Sequence, residues 1–227
     1  MRALVVQHEQ PTPGGYVNRW LEERGADQDI YRIDVEQRAA EPRDYDMIVS
    51  LGSEFAAFDD SIPWLHKETR LLREAVEAEV PVLGICFGGQ LLARVTGGRS
   101  FRSEIAEIGW LPVRSNEPAM VGDGPWFQWH FDTFTLPPGA ELIADSAAGP
   151  QAYTIGRSLG VQFHPEVTPE IMDAWVAAYR HELDQEGVDP DRLLSETYER
   201  ANDTRAAAYQ LFDGFLDRAS TEVIRGD

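Results

Sequence analysis

The chain's one cysteine, Cys86, lies in the segment Val82-Leu83-Gly84-Ile85-Cys86-Phe87-Gly88-Gly89-Gln90. An apolar run leads into it and a helical pattern starts directly after it. Gly84 and Gly88 flank it at the two positions where a sharp strand-to-helix turn leaves no room for a Cβ. Such an elbow holds a nucleophile in a strained backbone region and lifts its side chain clear of a sheet. The helix N-terminus beneath, with its dipole and free N–H groups, favours thiolate over thiol. The Phe87 N–H is then placed to donate to an oxyanion. A lone cysteine beside a glycine turn also reads as a small buried hydrophobe, and the rest of the chain has to decide between the two.

Two further segments supply what thiol chemistry needs. In Gly160-Val161-Gln162-Phe163-His164-Pro165-Glu166, strand alternation puts residues i and i+2 on one face, so His164 and Glu166 point the same way. An imidazole can take the thiol proton and return it to a leaving amine, while a carboxylate fixes its tautomer and stabilises its cation. In Ile48-Val49-Ser50-Leu51-Gly52-Ser53, an apolar strand ends in a glycine whose backbone N–H could approach a substrate oxygen. From spacing alone, Gly52 reads equally well as a plain loop glycine.

The elements that must carry these residues alternate along the first half of the chain. Residues 3–6, 30–33, 47–51 and 81–85 read as strands. Residues 16–24 and 64–79 read as helices, and a helix running to residue 95 stops at Gly97-Gly98. That alternation predicts an α/β fold, an open, mostly parallel twisted sheet with helices on both faces, flavodoxin-like in type. After Gly98 come short strands, at 105–113, 126–129, 141–144, 152–155 and 159–163. They predict an antiparallel extension or the far side of the same sheet. Residues 168–183 read as one helix, and 190–218 as a charged helical segment. We expect residues 1–185 to form one domain and 186–227 a helical extension packed on it.

Composition excludes several classes. With 227 residues and 43% apolar residues, the chain can bury a sizeable core, roughly 70–75% of its unfolded surface. A formal charge of −19, from 20 basic and 39 acidic residues, opposes nucleic acid and anionic membrane as partners. No stretch approaches the ~18 consecutive apolar residues of a membrane span. Met1 opens straight onto an apolar run without signal-peptide features, so a cytoplasmic location is expected. A single cysteine rules out an internal disulfide and fits a reducing compartment. Five histidines and one cysteine show no zinc-ligand spacing, so neither a metal nor a cofactor is expected.

The segments Gly-Ile-Cys-Phe-Gly-Gly-Gln at 84–90 and Gln-Phe-His-Pro-Glu at 162–166 resemble the two signature motifs of class I glutamine amidotransferases. The variety resembled is the stand-alone proteins similar to the amidotransferase domain of GMP synthase. Trp129-His130-Phe131-Asp132 and Leu136-Pro137-Pro138-Gly139-Ala140 resemble a further segment of that subgroup. The resemblance covers about residues 1–180 and implies a catalytic triad of Cys86, His164 and Glu166. It implies oxyanion contacts from the backbone of Gly52 and Phe87. It also implies contact of Gln90 with the glutamine part of the substrate, and of the Phe131 and Asp132 backbone with its α-amino and α-carboxyl groups. Where the family has Gly-Gly-Pro, this chain has Leu51-Gly52-Ser53, which loosens the oxyanion loop.

Three functions fit these readings. One is a glutaminase that supplies ammonia to a separate synthetase partner, since the chain has no P-loop of its own. The second is a self-sufficient enzyme cleaving another γ-glutamyl compound, such as a peptide or a γ-glutamylated amine. The third is a non-catalytic regulatory protein on the same fold, which the intact triad argues against.

Overall fold

The structure, a computed structural model, describes residues 1–225, with side chains as far as residue 221. The last two residues of the expected 186–227 segment lie outside the described residues. The chain first runs β1 (Arg2–Gln7), α1 (Gly15–Glu23), β2 (Asp27–Arg32), β3 (Met47–Ser50), α2 (Leu65–Glu77), β4 (Val82–Ile85) and α3 (Phe87–Val95). It continues with β5 (Ser100–Leu111), β6 (Arg114–Ser115), β7 (Trp126–Phe134), β8 (Glu141–Ser146), β9 (Gly149–Ile155) and β10 (Ser158–Val161). Three helices close it: α4 (Pro169–Ala178), α5 (Arg180–Glu186) and α6 (Pro190–Arg225).

Eight strands form one sheet in the order β2-β1-β3-β4-β10-β9-β8-β6. The pairs from β2 to β10 are parallel and those from β10 to β6 antiparallel. The α/β expectation and the antiparallel extension therefore hold. Alternation along the central strands divides two cores. Ala3, Val5, Met47 and Val49 face Val17 and Trp20 of α1 and Leu211, Phe212 and Phe215 of α6. Leu4, Val6, Ile48 and Val82 face Leu65 and Leu72 of α2 and Leu91 and Leu92 of α3. Buried on both faces, these parallel strands carry near-continuous apolar runs.

Three expectations need correction. β5 and β7 do not extend the main sheet; they pair as a separate antiparallel ribbon. Trp110, Phe127 and Trp129 of that ribbon have their own core, shared with Ile171, Met172 and Trp175 of α4. The helix expected at 168–183 is two helices. Thr168 caps α4 by accepting from the Ile171 N–H, with Pro169 in the first turn, which suits a helix start. Tyr179 then leaves helical geometry at φ −114°, ψ 24°, and its ring packs edge-on to Trp129, 6.0 Å between centroids. Finally, β10 ends at Val161, before residue 163, so His164 and Glu166 do not sit on a strand.

Candidate active site

The sheet brings Gly52, Cys86 and His164 to the carboxyl ends of β3, β4 and β10, where an open parallel sheet presents ligand sites. β4 runs into Cys86, which holds φ 50°, ψ −106°, a region costly for a residue with a Cβ. Close packing fixes the turn. A Cβ on Gly84 would stand 2.5 Å from the Gly88 carbonyl oxygen, and one on Gly88 would collide with the Ser50 carbonyl. The Cys86 N–H donates to Val161 O at 2.8 Å and the Gly88 N–H to Leu51 O at 3.1 Å, tying the elbow to both neighbouring strands. α3 starts at Phe87, so the Phe87 N–H is one of the helix's free donors.

Beyond β10 the chain is held by alternate bonds to two other strands. The Gln162 N–H donates to Gln151 O, and the His164 N–H to Phe127 O, both at 2.8 Å. The His164–Glu166 pair forms across a turn rather than along a strand, with Nδ1 2.7 Å from Glu166 Oε1. The Glu166 carbonyl accepts from the Tyr16 N–H at 2.9 Å, anchoring the turn on the start of α1. Trp175 meets the His164 ring edge-on, centroids 4.9 Å apart. Cys86, His164 and Glu166 are each no more than 5% exposed. Burial works against charge on His164, but Glu166 and the Cys86 sulfur outweigh it and raise its pKa to about 10. The carboxylate and the sulfur beside it thus favour the charged form of the ring.

One cavity is lined by Cys86, His164, Gly52, Phe87, Gln90, Phe131 and Asp132. Of the residues expected from sequence, only Glu166 stands behind the wall, against the far nitrogen of His164. Gln90 Nε2 donates to Asp132 O and to Gln162 Oε1, each at 3.2 Å. Gln162 Nε2 in turn reaches Cys86 Sγ at 3.6 Å. The β5–β7 register slips between Arg102 and Glu107, which leaves Phe131 with no cross-strand partner. Phe131 itself lines the cavity. His130 Nδ1 lies 3.1 Å from Asp132 O, and its Nε2 lies 3.1 Å from Glu107 Oε2. Burial pushes the Asp132 carboxyl up, offset in part by Arg102 and His130.

Sequence reasoning missed several lining residues: Arg102, Trp175, Tyr179 and Glu182. Arg102 stacks over Phe131 at 4.7 Å. Tyr179 has a raised pKa, through burial first and then the charges of Glu9, Glu54 and Glu182. The cavity thus has a mixed-charge end at Arg102 and Asp132, and an acidic, aromatic end around Tyr179. No pattern marked these residues, because they come from separate elements. The break at Tyr179 between two helical stretches was the one available signal.

Comparison with known proteins agrees with this architecture. A family model described as glutamine amidotransferase class-I matches residues 16–178. The glutamine-hydrolysing GMP synthase of Thermus thermophilus is 35% identical over 173 residues, covering 70% of this chain and 33% of that protein. The GMP synthase of Aeropyrum pernix is 38% identical over 128 residues, covering 50% of this chain and 25% of that protein. The chain thus spans a third or less of the length of these two relatives. A glutamine amidotransferase from Thermotoga maritima superposes with a TM-score of 0.87 at 29% identity, covering 95% of this chain and 98% of that one. One from Methylobacillus flagellatus gives 0.87 at 28% identity, covering 96% and 94%.

Proposed function

From the premise that this chain belongs to the class I glutamine amidotransferase family, we propose that it cleaves a γ-glutamyl amide through a thioester on Cys86. The observation that carries this reading is the buried Cys86 elbow beside the His164–Glu166 pair at 2.7 Å. The Cys86 thiolate attacks the γ-carbonyl carbon, and the backbone N–H groups of Gly52 and Phe87 hold the oxyanion that forms. The His164 imidazolium gives its proton to the amide nitrogen, the C–N bond breaks, and ammonia or an amine leaves. His164, now neutral, takes a proton from water as that water attacks the thioester, and glutamate departs from the regenerated thiolate. Glu166 keeps the imidazole in one tautomer and stabilises its cation without becoming protonated.

Gln90, by its bonds to Asp132 O and Gln162 Oε1, shapes the floor on which the glutamyl part lies. The backbone at Phe131 and Asp132, at the cavity wall, takes the α-amino and α-carboxyl groups. The acidic, aromatic wall of Glu54, Tyr179 and Glu182 supports a leaving group that carries positive charge. We therefore favour a γ-glutamylated amine over glutamine as the preferred substrate. α6 packs Leu211, Phe212 and Phe215 into the same core as β1 and β3. We read it as part of one unit, covering a sheet face that a synthetase would otherwise use. No described helix is long and apolar enough to cross a membrane, and a nucleophilic thiol supports a reducing, cytoplasmic setting.

A second reading has its own support. The relatives are named as glutamine-hydrolysing GMP synthases and are three to four times as long as the matched regions. A chain of this kind could feed ammonia to a separate synthetase. Steady-state kinetics on the purified protein separate the two, with glutamine and a panel of γ-glutamyl amines and peptides as substrates and ammonia and amine release as readouts. We expect turnover without any partner and a higher kcat/KM for a γ-glutamylated amine. Fast glutamine hydrolysis with no preference would defeat the substrate claim. Activity only on addition of a synthetase would defeat independence.

A further inference from the structure

Beneath the Leu51-Gly52-Ser53 loop lies a polar cluster that the triad does not use. His8, just past β1, Ser50, at the end of β3, and Glu68, in the first turn of α2, are each completely buried. Glu68 Oε1 accepts from Ser50 Oγ at 2.7 Å, and Glu68 Oε2 lies 2.8 Å from His8 Nε2. The other ring nitrogen, Nδ1, lies 3.0 Å from the Gly52 carbonyl oxygen. A carbonyl can only accept, so Nδ1 carries a proton, and the Nε2–Oε2 contact holds a second. The ring is packed between Trp64 and Phe87, at centroid distances of 5.0 and 4.8 Å.

Stability alone gives no reason for this arrangement. A buried ion pair pays a desolvation cost that apolar residues of similar volume avoid. Among the described residues, the cluster's one side-chain hydrogen bond to the loop above goes to a backbone carbonyl, and that carbonyl belongs to the residue assigned to the oxyanion. Glycine leaves φ and ψ soft, and Ser53 does not restrict the next residue as a proline ring would. The Gly52 N–H is rigid with the Leu51–Gly52 peptide plane, and that plane can turn about the Gly52 Cα unless the planes on both sides of that atom are held. The Leu51–Gly52 plane is held by the Gly88 N–H on Leu51 O. The Gly52–Ser53 plane is held by His8.

We infer that His8 and Glu68 are positioning residues for the reaction: Glu68 orients the His8 ring, and His8 clamps the Gly52 carbonyl so that the Gly52 N–H stays aimed at the oxyanion. Burial opposes a charged His8, but Glu68 outweighs it and raises the His8 pKa, which favours the doubly protonated ring. Ser53 Oγ donates to Glu9 Oε1 at 2.5 Å, which ties the same loop to the residue after His8. The inference rests on the reading of Gly52 as an oxyanion donor.

The test separates aim from folding. In the double variant His8→Phe/Glu68→Leu, apolar side chains replace the pair, which buried pairs commonly tolerate. Steady-state kinetics would use L-glutamine or γ-glutamyl p-nitroanilide, whichever the wild type turns over faster. Losing an oxyanion donor outright costs about 10²–10³ in kcat, so misaiming one should cost about tenfold or more. KM should stay within about twofold, because the oxyanion exists only in the transition state. Alkylation of Cys86 by iodoacetamide forms no oxyanion and should keep its wild-type rate. If the double variant does not fold, Glu68→Gln, equal in shape, carries the same measurements and should lose kcat in the same pattern. Wild-type kcat in whichever folded variant is measured would overturn the inference, and so would equal losses in turnover and alkylation. Cys86→Ser run in parallel keeps the two failures apart: turnover surviving in that variant would defeat the thioester reading itself.

Discussion

Gly52 and His164 stand so close that a Cβ built on Gly52 would lie 2.9 Å from His164 Cε1. The end of β3 and the turn after β10 thus meet over Cys86, whose own Cβ would be 3.8 Å away. The loop reaches the reacting groups only because residue 52 has no side chain.

Gly52→Ala should accordingly impair catalysis more than folding. The added methyl must push either the imidazole or the loop aside, an overpacking cost of about 1–3 kcal/mol. We expect kcat to fall about tenfold or more while a thermal melt shows one cooperative transition shifted down by several degrees. A variant with wild-type kcat would remove residue 52 from the oxyanion site.

His164 and Glu166 should differ in kind. His164→Ala removes the group proposed to move the proton and should leave almost no turnover. Glu166→Gln keeps the shape but offers an amide to Nδ1, so activity should be reduced, by as much as about 10⁴-fold, yet measurable. Equal, small losses at both positions would mean that another base acts.

The raised pKa of His164 sets the alkaline side of the pH profile. Its value goes from 6.5 to about 10, so the imidazolium proposed to protonate the leaving nitrogen should persist until the pH passes about 10. The kcat/KM profile should lose its alkaline limb there, and a limb near 6.5 would contradict the pairing with Glu166. The sign for stability is the same. A group raised on folding contributes fully below its unfolded pKa, and the contribution is lost as pH rises through the folded value. Chemical denaturation across that window should show stability declining in the wild type, and declining less in His164→Ala.

The C-terminal helix should belong to the cooperative fold. Phe212 is fully buried, 5.4 Å from Trp20 of α1 between ring centroids. Phe212→Ala should cost about 3–5 kcal/mol in urea unfolding, with an unchanged single transition. Little change in the midpoint would mean that α6 is an appendage.

Much of this arrangement was legible in the sequence because local chemistry agreed with the global fold. The runs ending at Ser50 and Ile85 are apolar without alternation, as strands covered on both faces must be. The elbow was legible because Gly84 and Gly88 sit where any Cβ would strike backbone. Strand partnership was not. β5 and β7 read like the other short strands, and nothing in their residues says that they pair only with each other, with a slip opposite Phe131. Strand alternation brought His164 and Glu166 together for the wrong reason, since a turn tethered to Tyr16 does it. The His8–Glu68 contact spans sixty positions, and no period along the chain encodes it.

The central claim is that a glutamyl group passes through Cys86, and acid-quenched intact-mass analysis during turnover tests it most directly. Mixing the protein with a γ-glutamylated amine and quenching within a single turnover should yield chain heavier by one glutamyl acyl group. Peptide mapping should find that group on Cys86, and Cys86→Ser should show neither adduct nor product. Glutamate release by Cys86→Ser at the wild-type rate, with no adduct on the wild-type chain, would contradict it.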